Sequence, residues 1–167
     1  NDEEVQRHIN WKLAKITWNN LFNYGENNSI DFENLNGIVG IFGKNYSGKS
    51  SVIDSLLYTI FNSTSKNERK NLNIINQNKQ NASGKVVIRV GNKEYNIVRD
   101  SEKYVKKLKG EETLEAKTNV NFTVKNLRTG EVEELNGTTR NETDKIIRNY
   151  FGTLEDFLLT SMSSQLG

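Results

Sequence analysis

The sequence predicts an α/β fold, a central sheet with an antiparallel β-hairpin subdomain and few helices. Three observations lead there. An apolar run without alternation, GIVGIFG at 37–43, passes through a glycine-rich loop into an amphipathic stretch at 50–61. Two other segments alternate in the manner of hairpins, and helical spacing is sustained only at 50–61 and from residue 141 onward. At 167 residues, 34% hydrophobic and 26% charged, the chain has the size and composition of one globular domain, neither disordered nor fibrous.

Residues 1–10, NDEEVQRHIN, read as a polar leader without the basic and apolar regions of a signal peptide. The first residue is Asn, so a lost or processed start is expected. WKLAKITW (11–18) and NSIDF (28–32) alternate as half-buried strands around a turn-rich loop. GIVGIFG is apolar on both faces, as a covered central strand must be. In SSVIDSLLYTIF, Ile53, Leu56, Leu57, Ile60 and Phe61 fall on one helical stripe, with Asn62 and Ser63 at its end. Residues 62–84 are rich in Asn, Lys and Ser and read as an exposed connection with one short helical turn. KVVIRVGNKEYNIVRD (85–100) is a hairpin about Gly91-Asn92, and NVNFTVKNLRTGEVEEL (119–135) repeats the device about Thr129-Gly130. From Asn141, as cap, a helix runs through Ile146, Ile147 and Tyr150 to Gly152, and LEDFLL then leads to the terminal TSMSSQLG.

The charge is nearly balanced, +2 from 23 basic and 21 acidic residues, so a nucleic acid would have to be held by a local patch. Without cysteine there are no disulfides or thiolate metal sites, which favours an intracellular setting. No apolar run reaches the roughly 18 residues of a spanning helix, so no membrane partner is expected.

The nine residues GKNYSGKSS carry the chemistry. Gly43, Gly48, Lys49 and Ser50 satisfy G-x-x-x-x-G-K-[ST], with a strand pattern before and a helix pattern after. A triphosphate is held by inward backbone N–H groups of a loop free of Cβ clashes at its glycines, seated on a helix N-terminus. Gly43, Asn45, Tyr46, Ser47, Gly48, Lys49, Ser50 and Ser51 are therefore the candidate binding residues for ATP. Lys49 would stand between the β- and γ-phosphates, and Ser50 would coordinate Mg2+. No apolar strand in the chain ends in Asp-Asp or Asp-Glu to complete a metal site, and no arginine-rich lid follows the loop.

The loop NLFNYG, the strand IDF and GIVGIFGKNYSGKSSVIDSLLYTIF together resemble the N-terminal lobe of the SMC-like ATPases of recombination and repair. They are most similar to the SbcC type and its phage and eukaryotic counterparts, the coiled-coil partners of a double-strand-break nuclease. VVIRVGNKEYNIVRD resembles the family hairpin ending in an arginine, here Arg99. IIRNYFGTLEDFLLTSMSSQLG resembles the helix and strand that deliver the family's Q-loop glutamine, here Gln165. The resemblance spans 11–167 and implies a P-loop NTPase of the ABC/SMC-like kind. Of its ATPase head this chain is expected to offer the N-terminal lobe alone, without the C-terminal lobe and coiled coil.

By that resemblance Lys49 and Gln165 are catalytic candidates, and Ser50 and Gln165 metal ligands. The implied partners are the C-terminal lobe of the same ATPase, a second head in an ATP-bound homodimer, an SbcD-like metal-dependent nuclease and double-stranded DNA. The implied location is the cytoplasm or nucleoid, or a nucleus. Two heads would clamp two ATP molecules, and hydrolysis would release the clamp and change access to DNA. This chain alone is expected to bind ATP without hydrolysing it. The alternatives are an SMC- or RecF-like DNA-organising or loading ATPase and a divergent P-loop nucleotide kinase. Two departures stand out: Tyr46 occupies a position where the family has Gly, and the loop after the first strand lacks a basic residue.

Several residues carry two readings. Asn20, Phe22 and Tyr24 either line the adenine or simply pack their loop. Lys103, Lys106, Lys107 and Lys109 are DNA-phosphate candidates, since the family lays DNA across its heads, or lysines protecting a solvated hairpin edge. Arg99 either approaches nucleotide or DNA or forms a structural ion pair. His8, the single histidine, reads as solvated, and Trp11 and Trp18 as packing residues.

Overall fold

The computed structural model describes residues 11–34, 49–64 and 71–166, with the side chains at 34, 49, 50 and 161–166 left aside. The leader with His8, the GIVGIFG run and the loop from Gly43 to Gly48 lie outside the described residues. Six strands form one sheet in the order β2-β1-β3-β4-β5-β6: β1 Trp11–Asn19, β2 Asn28–Asp31, β3 Asn81–Val90, β4 Lys93–Leu108, β5 Glu111–Asn126 and β6 Val132–Glu134. All pairings among them are antiparallel. Among the described residues three α-helices, α1 Lys49–Phe61, α2 Asn71–Ile74 and α3 Arg140–Leu166, and a 3-10 turn at Phe32–Asn34 accompany the sheet. No described helix is long and apolar enough to cross a membrane.

One face of the sheet makes the core. Ile16, Val86, Ile97 and Phe122 lie side by side across four strands, all fully buried. The row Leu13, Ile88, Tyr95 and Val124 runs beside it, and Tyr95 and Phe122 stack with Tyr150 and Phe151 of α3. A bulge between Leu13 and Lys15 lets both Leu13 and Ala14 face inward, which strict alternation forbids. Against this face lies α1, buried at every position from Val52 to Phe61. It approaches β3 most closely at Gly84, where an added Cβ would collide with the Thr59 side chain.

Several boundaries differ from those the sequence suggests. The connection after α1 is not exposed throughout: Ile74 and Ile75 are buried, and β3 begins at Asn81 rather than Lys85. β4 and β5 extend beyond the core to Leu108 and from Glu111, joined by Lys109 and Gly110, both at positive φ. The result is a projecting two-stranded ribbon. Thr139, not Asn141, caps α3: its Oγ1 accepts from Glu142 N at 3.2 Å, and Glu142 reaches back to the Thr138 N–H at 2.8 Å. The Thr138 hydroxyl also donates to the Glu142 carboxylate, at 2.7 Å, and this bond with the one from the Thr138 N–H holds that carboxyl below the usual carboxylate range. Thr139 wins because its hydroxyl stands one turn before Thr143, whose own N–H bonds the Thr139 carbonyl.

Gly152 does not end the helix, nor do LEDFLL and the terminal residues form a helix followed by a strand. α3 continues to Leu166, interrupted at Phe151 (φ −130°, ψ 20°). Leu154 and Leu158, one helical turn apart, are both fully buried and hold the second half in helical phase. A helix satisfies its own backbone, where a strand would need a neighbour. Gln165 thus lies on a helix rather than beyond a strand.

Candidate nucleotide site

α1 opens at Lys49, so Lys49, Ser50 and Ser51 are its first turn, where backbone N–H groups lack intrahelical partners. The body of the helix is buried in the core, which sets where its start lies. Beside that start lies the loop after β1. Tyr24 turns its ring edge onto Trp18 at 5.1 Å between centroids and shares a side-chain hydrogen bond with Ser51. Burial pushes the Tyr24 hydroxyl above its ordinary pKa of 10.0, and the Ser51 bond opposes this. Of the predicted loop residues, Ser51 and Tyr24 are therefore brought together.

The loop is held in an uncommon shape. Asn20 and Phe22 adopt positive φ, 59° and 56°, which an aromatic residue takes only when surroundings impose it. What imposes it is the segment 71–76. Phe22 N donates to the Ile74 carbonyl at 2.7 Å, Asn76 N to the Asn20 carbonyl at 2.8 Å, and Asn76 Nδ2 to the Tyr24 carbonyl at 2.9 Å. Asn20 is buried, its Nδ2 on the Asn81 carbonyl at 3.1 Å, and among the described residues its Oδ1 has no hydrogen-bond partner. The supporting role of Ile74–Asn76 was hidden in a polar run, its signal being the apolar pair Ile74-Ile75 amid asparagines.

Arg99 is placed far from solvent. Its side chain is fully buried, with Nε on the Thr59 carbonyl at 3.0 Å, Nη2 on the Ile60 carbonyl at 3.1 Å and Nη2 on Asp144 Oδ1 at 2.6 Å. It is a structural ion pair and cap for the end of α1, so the nucleotide or DNA reading falls away. Burial lowers its pKa, and the bond to Asp144 raises it again. Next to it a polar chain runs from the buried pair Tyr58 and Ser101, 2.7 Å apart, to half-buried Thr118 at 2.7 Å and on to Asn71 at 2.5 Å. Burial pushes Tyr58 up to about 12.

The four lysines of the ribbon are not equivalent. Lys103 donates to the carbonyls of Asn76 and Gln77 at 3.4 and 3.3 Å, anchoring the ribbon's base. Lys106 and Lys107 face Glu115 and Glu112 across the strands at 3.8 and 3.4 Å. Lys109 stands exposed in the turn. Among the described residues no group of His, Cys, Asp and Glu could hold a metal ion; Ser50 and Gln165 remain the metal candidates by sequence.

A protein of Acanthamoeba polyphaga mimivirus, described as uncharacterized, is 33% identical over 160 residues, 93% of this chain. The chain spans 11% of that relative's length. The sequence profile of the AAA domain matches residues 15–166, nearly the whole chain. An antiparallel sheet with few helices fits an α/β P-loop ATPase domain. On that match, with the G-x-x-x-x-G-K-[ST] loop entering α1, the chain belongs to the AAA domain family, as an ATPase domain of that kind.

Proposed function

We propose that this chain is the ATP-binding lobe of an SMC-like repair ATPase of the SbcC type. The observation that supports it most is the convergence at the start of α1: the phosphate-loop motif enters the helix there, and the strained loop Asn20–Tyr24 is bonded to it through Ser51. In this reading the backbone of 43–48 cradles the phosphates, Lys49 neutralises them and Ser50 ligates Mg2+. Asn20 and Phe22 line the adenine. Bound Mg2+ would draw charge from the β- and γ-phosphates during transfer to water. Gln165 would reach the metal or the water.

The chain has no sequence candidate for the carboxylate and opposing donors that hydrolysis requires, so turnover awaits a C-terminal lobe and a paired head. The function of the pair is a DNA clamp that regulates a partner nuclease. Calorimetry with Mg-ATP should give binding by the wild-type chain, loss in Lys49→Ala and negligible turnover by either. Equal affinity in Lys49→Ala, or steady turnover that Lys49→Ala abolishes, would overturn the reading. DNA contact falls to the ribbon tip, where Lys106, Lys107 and Lys109 gather. Neutralising Lys106 and Lys107 together should flatten the salt dependence of DNA affinity by about one unit per lost contact. An unchanged slope assigns them to edge protection instead.

A further inference from the structure

The last turn of α1 carries more ties than a helix end requires. The carbonyls of Thr59, Ile60 and Phe61 are all taken by guanidinium groups, the first two by Arg99 and the third by Arg148 at 3.0 Å. Arg99 also grips α3 from β4, whereas Arg148 belongs to the first half of α3 and ties it directly to α1. Arg99 holds Asp144 at 2.6 Å, and Arg148 lies 3.5 Å from Glu155, which Ser63 bonds at 2.9 Å. Asp144 and Glu155 lie on opposite sides of Phe151, the non-helical residue of α3. One end of α1 is thus bonded separately to both halves of a jointed helix. The other end, at Lys49, is about 20 Å away at ~1.5 Å per residue.

We propose that this junction transmits nucleotide binding to α3, with Arg99 as the positioning residue for its first half and Ser63 with Glu155 as the tie to its second. The inference rests on the ATP-binding reading above. α1 is buried along its length and packs on β3 and β4, so a displacement at its start moves it as a rod. Charge-assisted bonds fix direction as well as distance, so α3 must follow or break them. The joint at Phe151 lets the two halves follow by different amounts. Capping the helix does not need a buried charge, because glycine or water can serve. Gripping Asp144 and two α1 carbonyls at once does need the guanidinium fork.

Hydrogen exchange on the full chain, with and without Mg-ATP, tests this together with calorimetric affinities. In the wild type ATP should slow exchange at the start of α1 and across 141–160. Arg99→Lys, which leaves the phosphate loop untouched, should bind ATP with little change yet weaken the response at 141–150, where the Arg148 bond to Phe61 remains. Ser63→Ala, which removes the donor to Glu155, should lose only the response at 153–160. Each comparison is made within one variant, so general loosening cancels. An α3 response that persists in both variants overturns the proposal. ATP binding by the wild type with α3 unchanged also overturns it while leaving the ATP-binding reading intact. Absence of wild-type binding overturns both. If Arg99→Lys does not fold, Ser63→Ala decides: loss confined to 153–160 supports the proposal, and persistence there overturns it.

Discussion

Arg99→Met keeps the length of the side chain and removes its charge and donors, which isolates what the guanidinium contributes to stability. The Thr59 and Ile60 carbonyls lose their partners inside the core, at about 1–3 kcal/mol for each stranded group. Asp144 loses its 2.6 Å bond but keeps Arg140 at 3.0 Å, so its carboxylate is not left alone. The net expectation is about 3–5 kcal/mol, the range for breaking a buried pair. A domain's whole stability is about 5–15 kcal/mol, so the loss is large. Urea unfolding followed by circular dichroism should show the midpoint falling by roughly 1.5–2.5 M at an unchanged slope of about 2 kcal/mol/M. Arg140→Ala, which removes a partly exposed partner, should cost under about 1 kcal/mol. A loss below about 1 kcal/mol in Arg99→Met would refute the assignment of Arg99 as a cap and ion pair in the core.

Tyr58 titrates at about 12 in the fold against 10.0 ordinarily, so between these values the unfolded chain releases a proton that the native chain retains. Its contribution is complete below pH 10 and is lost as pH rises toward 12, roughly 2–3 kcal/mol in all. Tyr58→Phe should therefore flatten the alkaline limb of the stability curve; an equally steep limb in the variant would exclude Tyr58 as its source. Gly84→Ala sets a methyl against Thr59, 3.1 Å from its Cβ, and should destabilise by about 1–3 kcal/mol through overpacking. Thr59→Ala in the same chain should restore part of that loss, and a neutral Gly84→Ala in thermal melts would show that α1 is free to shift.

Alternation made β1, β2 and the β3–β4 hairpin readable, because each buries one face on a common core. The ribbon at 103–116 was not readable as paired strands. Its sequence KYVKKLKG-EETLEA buries neither face, and its pairing comes from a turn at Lys109-Gly110 and cross-strand charges. Four of the seven exposed large hydrophobic residues among those described, Tyr104, Val105, Leu108 and Leu114, are in this ribbon. The cap of α3 was misread because Asn141 and Thr139 are both good capping residues, and the hydrogen bonds from Glu142 and Thr143 decide between them. At the candidate site, the motif was legible because its chemistry fixes residue types at fixed spacing. Arg99 was legible as important and ambiguous in role, since nothing local shows that Asp144, 45 residues on, will meet it.

The order of the strands bears on how the molecule assembles. β3, β4 and β5 are successive neighbours joined by short turns, whereas β1 reaches β3 across a separation of 64 residues at Asn19 and Ser83. Closing so long a loop costs entropy before any contact is gained, so the three-strand meander should form early and β1 dock late. Pulse-labelled amides of β1 should then become protected after those of β3 to β5, and the reverse order would refute this. Because α1 lies within the loop being closed, Tyr24 meets Ser51 only when β1 arrives. β1, made before β3 to β5, would thus reach the candidate site only after those three strands have been synthesised.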